Sequence, residues 1–132
     1  KPYLGICLGY QLLFESSEEN PGVEGLCAFR GDVPRFVAQP GLKIPHMGWN
    51  TARFVNPSSP LWRDLGTESS FYFVHSYYPK PADASLAACT TDYAGEFVSG
   101  IATENLVAVQ FHPEKSQAAG LTLLRNSLEV LG

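Results

Sequence analysis

Tyr3-Leu4-Gly5-Ile6-Cys7-Leu8-Gly9-Tyr10-Gln11 decides the fold. An apolar run, Tyr3 to Ile6, leads into a lone cysteine, and a helix-like stretch, Gln11 to Glu15, follows it. This is the layout of a nucleophile elbow, a strand-to-helix turn that strains the backbone at the nucleophile and needs small neighbours, here Gly5 and Gly9. Far along the chain, Leu106 to Phe111 reads as a strand closed by His112-Pro113-Glu114. Positions i and i+2 of an extended chain share a face, so Glu114 can accept from one nitrogen of His112 while the other faces the thiol. Cys7, His112 and Glu114 thereby supply nucleophile, base and orienting carboxylate. A helix N-terminus and an adjacent imidazolium are expected to lower the pKa of Cys7.

Between these ends the chain reads as one unit, without repeat or linker. A polar loop, Ser16 to Gly25, precedes the short apolar segment Leu26 to Phe29. Phe36-Val37 and Thr51 to Val55 look like strands on either side of a turn at His46-Met47-Gly48-Trp49-Asn50. Asn56-Pro57-Ser58-Ser59-Pro60 is punctuation before a short helical piece, Leu61 to Leu65. Phe71 to Tyr77, Leu86 to Thr91, Phe97 to Ala102 and Leu106 to Phe111 are rich in β-branched and aromatic residues. Turn residues at Asp92 to Gly95 and Thr103 to Asn105 predict an antiparallel meander feeding the histidine's strand. Leu121, Leu124, Leu128 and Leu131 recur at helical spacing after Ser116, a candidate N-cap. The fold class is α/β with an antiparallel excursion.

A chain of 132 residues with 45% hydrophobic content can build one core. A net charge of -4 argues against nucleic acid or an anionic membrane as partner. No apolar stretch approaches the roughly 20 residues of a membrane span, so a cytoplasmic protein is expected. Cys7, Cys27 and Cys89 form neither an even set nor a C-x-x-C pair, which fits reduced thiols better than disulfides or a metal site. Cys27 and Cys89 are expected to be small buried hydrophobes. His46 and His75 read as structural or pocket-lining, and the aromatics from Phe71 to Tyr78 mainly as core.

The G-x-C-x-G-x-Q elbow and distant H-P-E resemble the class I glutamine amidotransferases. Three further blocks, Pro45 to Asn50, Phe71 to Tyr77 and Gln110 to Ser116, resemble the branch that serves imidazole glycerol phosphate synthase in histidine biosynthesis. The resemblance implies a flavodoxin-like sheet flanked by helices, with residues 1–132 as the C-terminal part of a single glutaminase domain whose N-terminal portion is missing. It implies hydrolysis of glutamine by Cys7, His112 and Glu114, with the Leu8 backbone N–H as one oxyanion donor and a glycine-rich loop ahead of the elbow as the other. Gln11, Glu19, Ser76 and Tyr77 would bind glutamine. Met47, Trp49, Tyr72 and Lys115 would face a cyclase subunit, the heterodimer partner that receives ammonia. Neither cofactor nor metal is implied. Cys27 and Arg30 stand where the family pattern has a glycine and a proline.

Two alternatives remain open at this point. A glutaminase of another synthase would share the triad but should lack the P-H-M-G-W-N block. An inactive, partner-binding fragment would keep the fold without turnover.

Overall fold

A computed structural model describes all of residues 1–132. Its main sheet has six strands in the order β1 (Tyr3–Ile6), β9 (Leu106–Val109), β8 (Glu96–Thr103), β7 (Ala87–Asp92), β4 (His46–Phe54) and β5 (Glu68–His75). Only β1 and β9 run parallel, with Ile6 opposite Val109; the other neighbours are antiparallel. A small second sheet joins β2 (Ser16–Ser17), β3 (Gly31–Val33) and β6 (Lys80–Pro81). Two α-helices complete the chain, α1 (Leu8–Gln11) and α2 (Gln117–Leu131). No helix is long and apolar enough to cross a membrane.

Strand β9 shows why the site sits where it does. All four of its residues are buried, as expected of a strand covered on both faces. Val107 and Val109 enter a cluster with Phe54, Trp62, Phe71, Phe111 and Leu123, while Leu106 and Ala108 enter another with Tyr10, Leu13, Phe14 and Val33. The sheet also curls. The His112 N–H donates to the Tyr72 carbonyl at 2.9 Å, and the Tyr72 N–H donates to Ser116 Oγ at 2.9 Å, so β5 comes round against the segment that follows β9.

The meander β7–β8–β9 forms as the turns predict. Other elements differ from expectation. The helix expected over Gln11 to Glu15 is the single turn Leu8–Gln11, set immediately behind the cysteine. The H-M-G-W-N block is not a turn: it opens the nine-residue strand β4, with Gly48 at φ 120° opposite Phe73. Phe36 and Val37 lie outside any strand; the strand material falls at Gly31–Val33. Leu61 to Leu65 shrinks to a 3-10 turn, Pro60–Trp62, with Trp62 stacked on Phe54 at 4.0 Å.

The leucine stripe of α2 is corrected too. Leu121 and Leu128 are exposed, and the helix packs through Gly120, Leu123, Asn126 and Ser127. Asn126 Nδ2 replaces an apolar contact by donating to the Leu61 and Arg63 carbonyls at 3.0 and 2.8 Å. Ser116 does not cap the helix with its side chain. Its Oγ donates to the His112 carbonyl at 2.6 Å and accepts from Tyr72, clipping helix, histidine and β5 together. Cys27 is exposed, not buried, and holds φ 54°, the left-handed region that favours glycine. Arg30 makes no backbone hydrogen bond through its N–H, so a proline and an arginine are interchangeable there in that respect.

Candidate active site

Strand β1 delivers Cys7 to the C-terminal edge of the sheet, where its N–H donates to the Val109 carbonyl at 2.8 Å. The chain then turns sharply, with φ 53° and ψ -102° at Cys7, before α1 begins. For a non-glycine residue this is a strained conformation of the kind that surrounding structure must enforce. Gly5 is required: a Cβ there would lie 2.7 Å from the Gly9 carbonyl oxygen. Gly9 is not required for clearance, since a Cβ there would meet only the Tyr3 hydroxyl at 3.6 Å.

His112 follows β9, three residues beyond the partner of Ile6, so thiol and imidazole share one edge of one parallel pair. His112 Nδ1 and Glu114 Oε2 are 2.7 Å apart. The carboxylate accepts, which places the neutral ring's proton on Nδ1 and leaves Nε2 as a base. No hydrogen bond joins Cys7 to His112. The sulfur instead has Gln110 Nε2 at 3.6 Å and the Val74 carbonyl at 4.0 Å. Burial pushes the thiol pKa up, against the Leu8 N–H and the Gln110 amide, which pull it down; Glu114 and Glu19 add to the rise. The lowered pKa expected at the elbow is therefore absent in this state. A one-turn helix offers little dipole, and no imidazolium touches the sulfur.

The remaining residues expected to bind glutamine fall into two groups. Gln11 and Glu19 line one cleft with Leu8, Asn20 and Val23. Gln11 commits its Nε2 to the Tyr77 carbonyl at 2.9 Å and to Gln110 Oε1 at 3.1 Å. Ser76 and Tyr77 lie outside that cleft lining, at the end of β5, and neither donates its backbone N–H within the chain. Of the residues expected at the interface, Met47 and Trp49 project from β4 at 61% and 51% exposure. Trp49 meets Tyr72 edge-on at 6.2 Å, and exposed Lys115 follows on the 3-10 turn after His112.

Gln110 escaped the sequence reading. It is fully buried, and its amide bridges Gln11 and Cys7. A polar residue closing the otherwise apolar run Leu106 to Phe111 was the available signal, since a buried amide needs partners.

The model of the family "Glutamine amidotransferase class-I" matches residues 1–130. The chain belongs to the class I glutamine amidotransferase family. It is 55% identical to the imidazole glycerol phosphate synthase subunit HisH of Methylococcus capsulatus, over 97% of this chain and 62% of that protein. It is 51% identical to the HisH subunit of Acinetobacter baylyi, over 98% of this chain and 63% of that protein. The chain thus spans about three-fifths of the length of these relatives. Among solved structures, the glutaminase domain of a CTPS from Trypanosoma brucei superposes with a TM-score of 0.61 at 19% identity, covering 97% of this chain and 60% of that one. A glutamine amidotransferase from Thermotoga maritima superposes at 0.58 with 21% identity, covering 98% and 48%. At those identities the likeness is one of fold.

Proposed function

We propose that this chain carries the glutaminase chemistry of an imidazole glycerol phosphate synthase. The observation behind the proposal is the elbow: a strained cysteine heads the one parallel strand pair of the main sheet, and a carboxylate-held histidine stands at the same edge. In this reading His112 Nε2 takes the Cys7 proton, and the thiolate attacks the amide carbon of glutamine. The Leu8 N–H, outside the backbone hydrogen-bond network, stabilises the oxyanion; by the family resemblance a second donor comes from a loop ahead of the elbow. His112 then protonates the departing ammonia, and water activated by the same nitrogen hydrolyses the thioester to glutamate. Glu114 holds the tautomer throughout.

Substrate and partner belong to the same proposal. The unused N–H groups of Ser76 and Tyr77 suit the carboxylate of glutamine, with Gln11 and Glu19 in the cleft beside the elbow. Met47, Trp49, Tyr72 and Lys115 form the face for a cyclase subunit that takes up the ammonia in histidine biosynthesis. The P-H-M-G-W-N strand and the relatives' name favour this branch over glutaminases of other synthases.

The test is glutamate release from glutamine by the complete encoded protein with its cyclase partner. Cys7→Ala should abolish turnover, and His112→Ala should lower kcat by about 10²- to 10⁴-fold. Undiminished turnover in Cys7→Ala would sink the proposal.

A further inference from the structure

An unbroken series of hydrogen bonds runs from a surface turn to the Cys7 sulfur. Asn50 on β4 donates from Nδ2 to the Asp92 carbonyl at 3.0 Å, where β7 turns toward β8, and to His46 Nε2 at 3.1 Å. His46 Nδ1 meets His75 Nε2 at 2.9 Å, and His75 Nδ1 meets the Tyr77 carbonyl at 2.8 Å. That carbonyl also accepts from Gln11 Nε2, which donates in turn to Gln110 Oε1; Gln110 Nε2 reaches the thiol.

Only one arrangement of protons satisfies the series. A carbonyl oxygen can only accept, so His75 carries its proton on Nδ1. As a neutral ring it must then accept at Nε2 from His46 Nδ1, and His46 must accept at Nε2 from the amide of Asn50. Asn50 is itself oriented, because its Oδ1 accepts from the Thr51 N–H at 2.8 Å. Both rings stay neutral, since burial lowers the pKa of His46 to about 4 and that of His75 to about 3. Packing alone does not call for two histidines here. His46 stacks on Tyr93 and Phe73 at 3.9 and 4.7 Å, an aromatic box that phenylalanine would fill without the cost of burying four ring nitrogens. A fully paired buried polar line instead fixes one orientation of everything along it.

The line passes through the peptide groups that would meet the substrate. Resting on the glutaminase reading above, we propose that Asn50, His46 and His75 are positioning residues for glutamine binding: joined in series, they hold the Tyr77 carbonyl, and with it the Ser76 and Tyr77 N–H donors and the Gln11 side chain.

The complete encoded protein, assayed with its cyclase partner, provides the test. His46→Phe keeps the stacking and removes both polar links, whereas His46→Asn keeps a donor where Nδ1 stands. His46→Phe should raise the KM for glutamine about tenfold, the effect of one lost hydrogen bond, while kcat stays within about threefold. His46→Asn should bring KM back to within about threefold of the parent. A fall in kcat at unchanged KM, an unaffected KM, or failure of His46→Asn to restore it would overturn the proposal, since a loosened core predicts no such split or rescue. Ring ¹⁵N shifts at pH 7 give a reading independent of turnover: both histidines should be neutral with the proton on Nδ1. A proton on Nε2 of either ring breaks the series and overturns the proposal. A parent protein that hydrolyses no glutamine would instead overturn the glutaminase reading, leaving the ring tautomers to decide the hydrogen-bond series.

Discussion

At the residue scale, three cysteines occupy three different environments, and the chain's chemistry follows from the differences. Cys89 is fully buried, with its pKa pushed up to about 12 by desolvation, and is inert. Cys7 is strained and partly buried. Cys27 is exposed but sits at φ 54°, where a Cβ is unfavourable. The family pattern has glycine at that position, and the backbone shows why. Cys27→Gly is expected to stabilise the fold by about 0.5–1 kcal/mol, because relief of the left-handed strain exceeds the added entropy of the unfolded chain. Cys27→Ala should change nothing beyond a few tenths of a kcal/mol, as it keeps the Cβ. Urea midpoints of the two variants decide the matter, and equal values would remove backbone strain as the reason.

At the scale of elements, α2 and the β4–β5 pair each carry a testable constraint. An added Cβ on Gly120 would stand 1.8 Å from the Pro113 carbonyl oxygen, inside the turn that carries Glu114. Gly120→Ala should destabilise by about 1–3 kcal/mol despite the better helix propensity of alanine. It should also lower kcat by displacing His112, and a variant of parental Tm and kcat would show that the turn yields freely. On β4 and β5, His46 and His75 face each other in register with folded pKa values of about 4 and 3, below the ordinary 6.5. The unfolded chain therefore binds protons that the folded chain refuses as pH falls below 6.5. Stability is full above that value and should decline by up to about 1.4 kcal/mol per pH unit per histidine down to about pH 4. Denaturation midpoints at pH 7 and 5 that coincide would contradict the buried neutral pair. Much of this architecture was legible in advance. Runs rich in β-branched and aromatic residues with turn residues at 92–95 and 103–105 gave away the meander, and the glycine-flanked cysteine gave away the elbow. The second half of β4 was read as strand from Thr51 onward, but its first half, His46 to Asn50, was hidden because Gly48 and Asn50 are turn formers in isolation, and only pairing with β5 makes them strand residues. The packed face of α2 was hidden because Gly120, Asn126 and Ser127 carry no apolar signal, whereas its exposed leucines do.

At the scale of the whole molecule, the curled sheet puts the strand proposed to face a cyclase and the edge proposed as catalytic within one peptide of each other. Tyr72 shows its ring to Trp49 on the outside, while its backbone binds His112 and Ser116. Trp49→Ala is expected to weaken association with the cyclase by about 2 kcal/mol or more and to leave Tm unchanged, since the indole is half exposed. Titration calorimetry against the cyclase measures it, and parental affinity would remove Trp49 from the interface. The pairing of β1 with β9 has a temporal consequence. Residues 3–6 bond to 106–109, and closing so long a loop is slow compared with zipping the local hairpins of the meander. During synthesis Cys7 leaves the ribosome more than a hundred residues ahead of His112. The nascent thiol thus spends that interval without the Val109 carbonyl that anchors its peptide and without the imidazole proposed as its base, and in the glutaminase reading the centre assembles only when the last strand slots in beside the first.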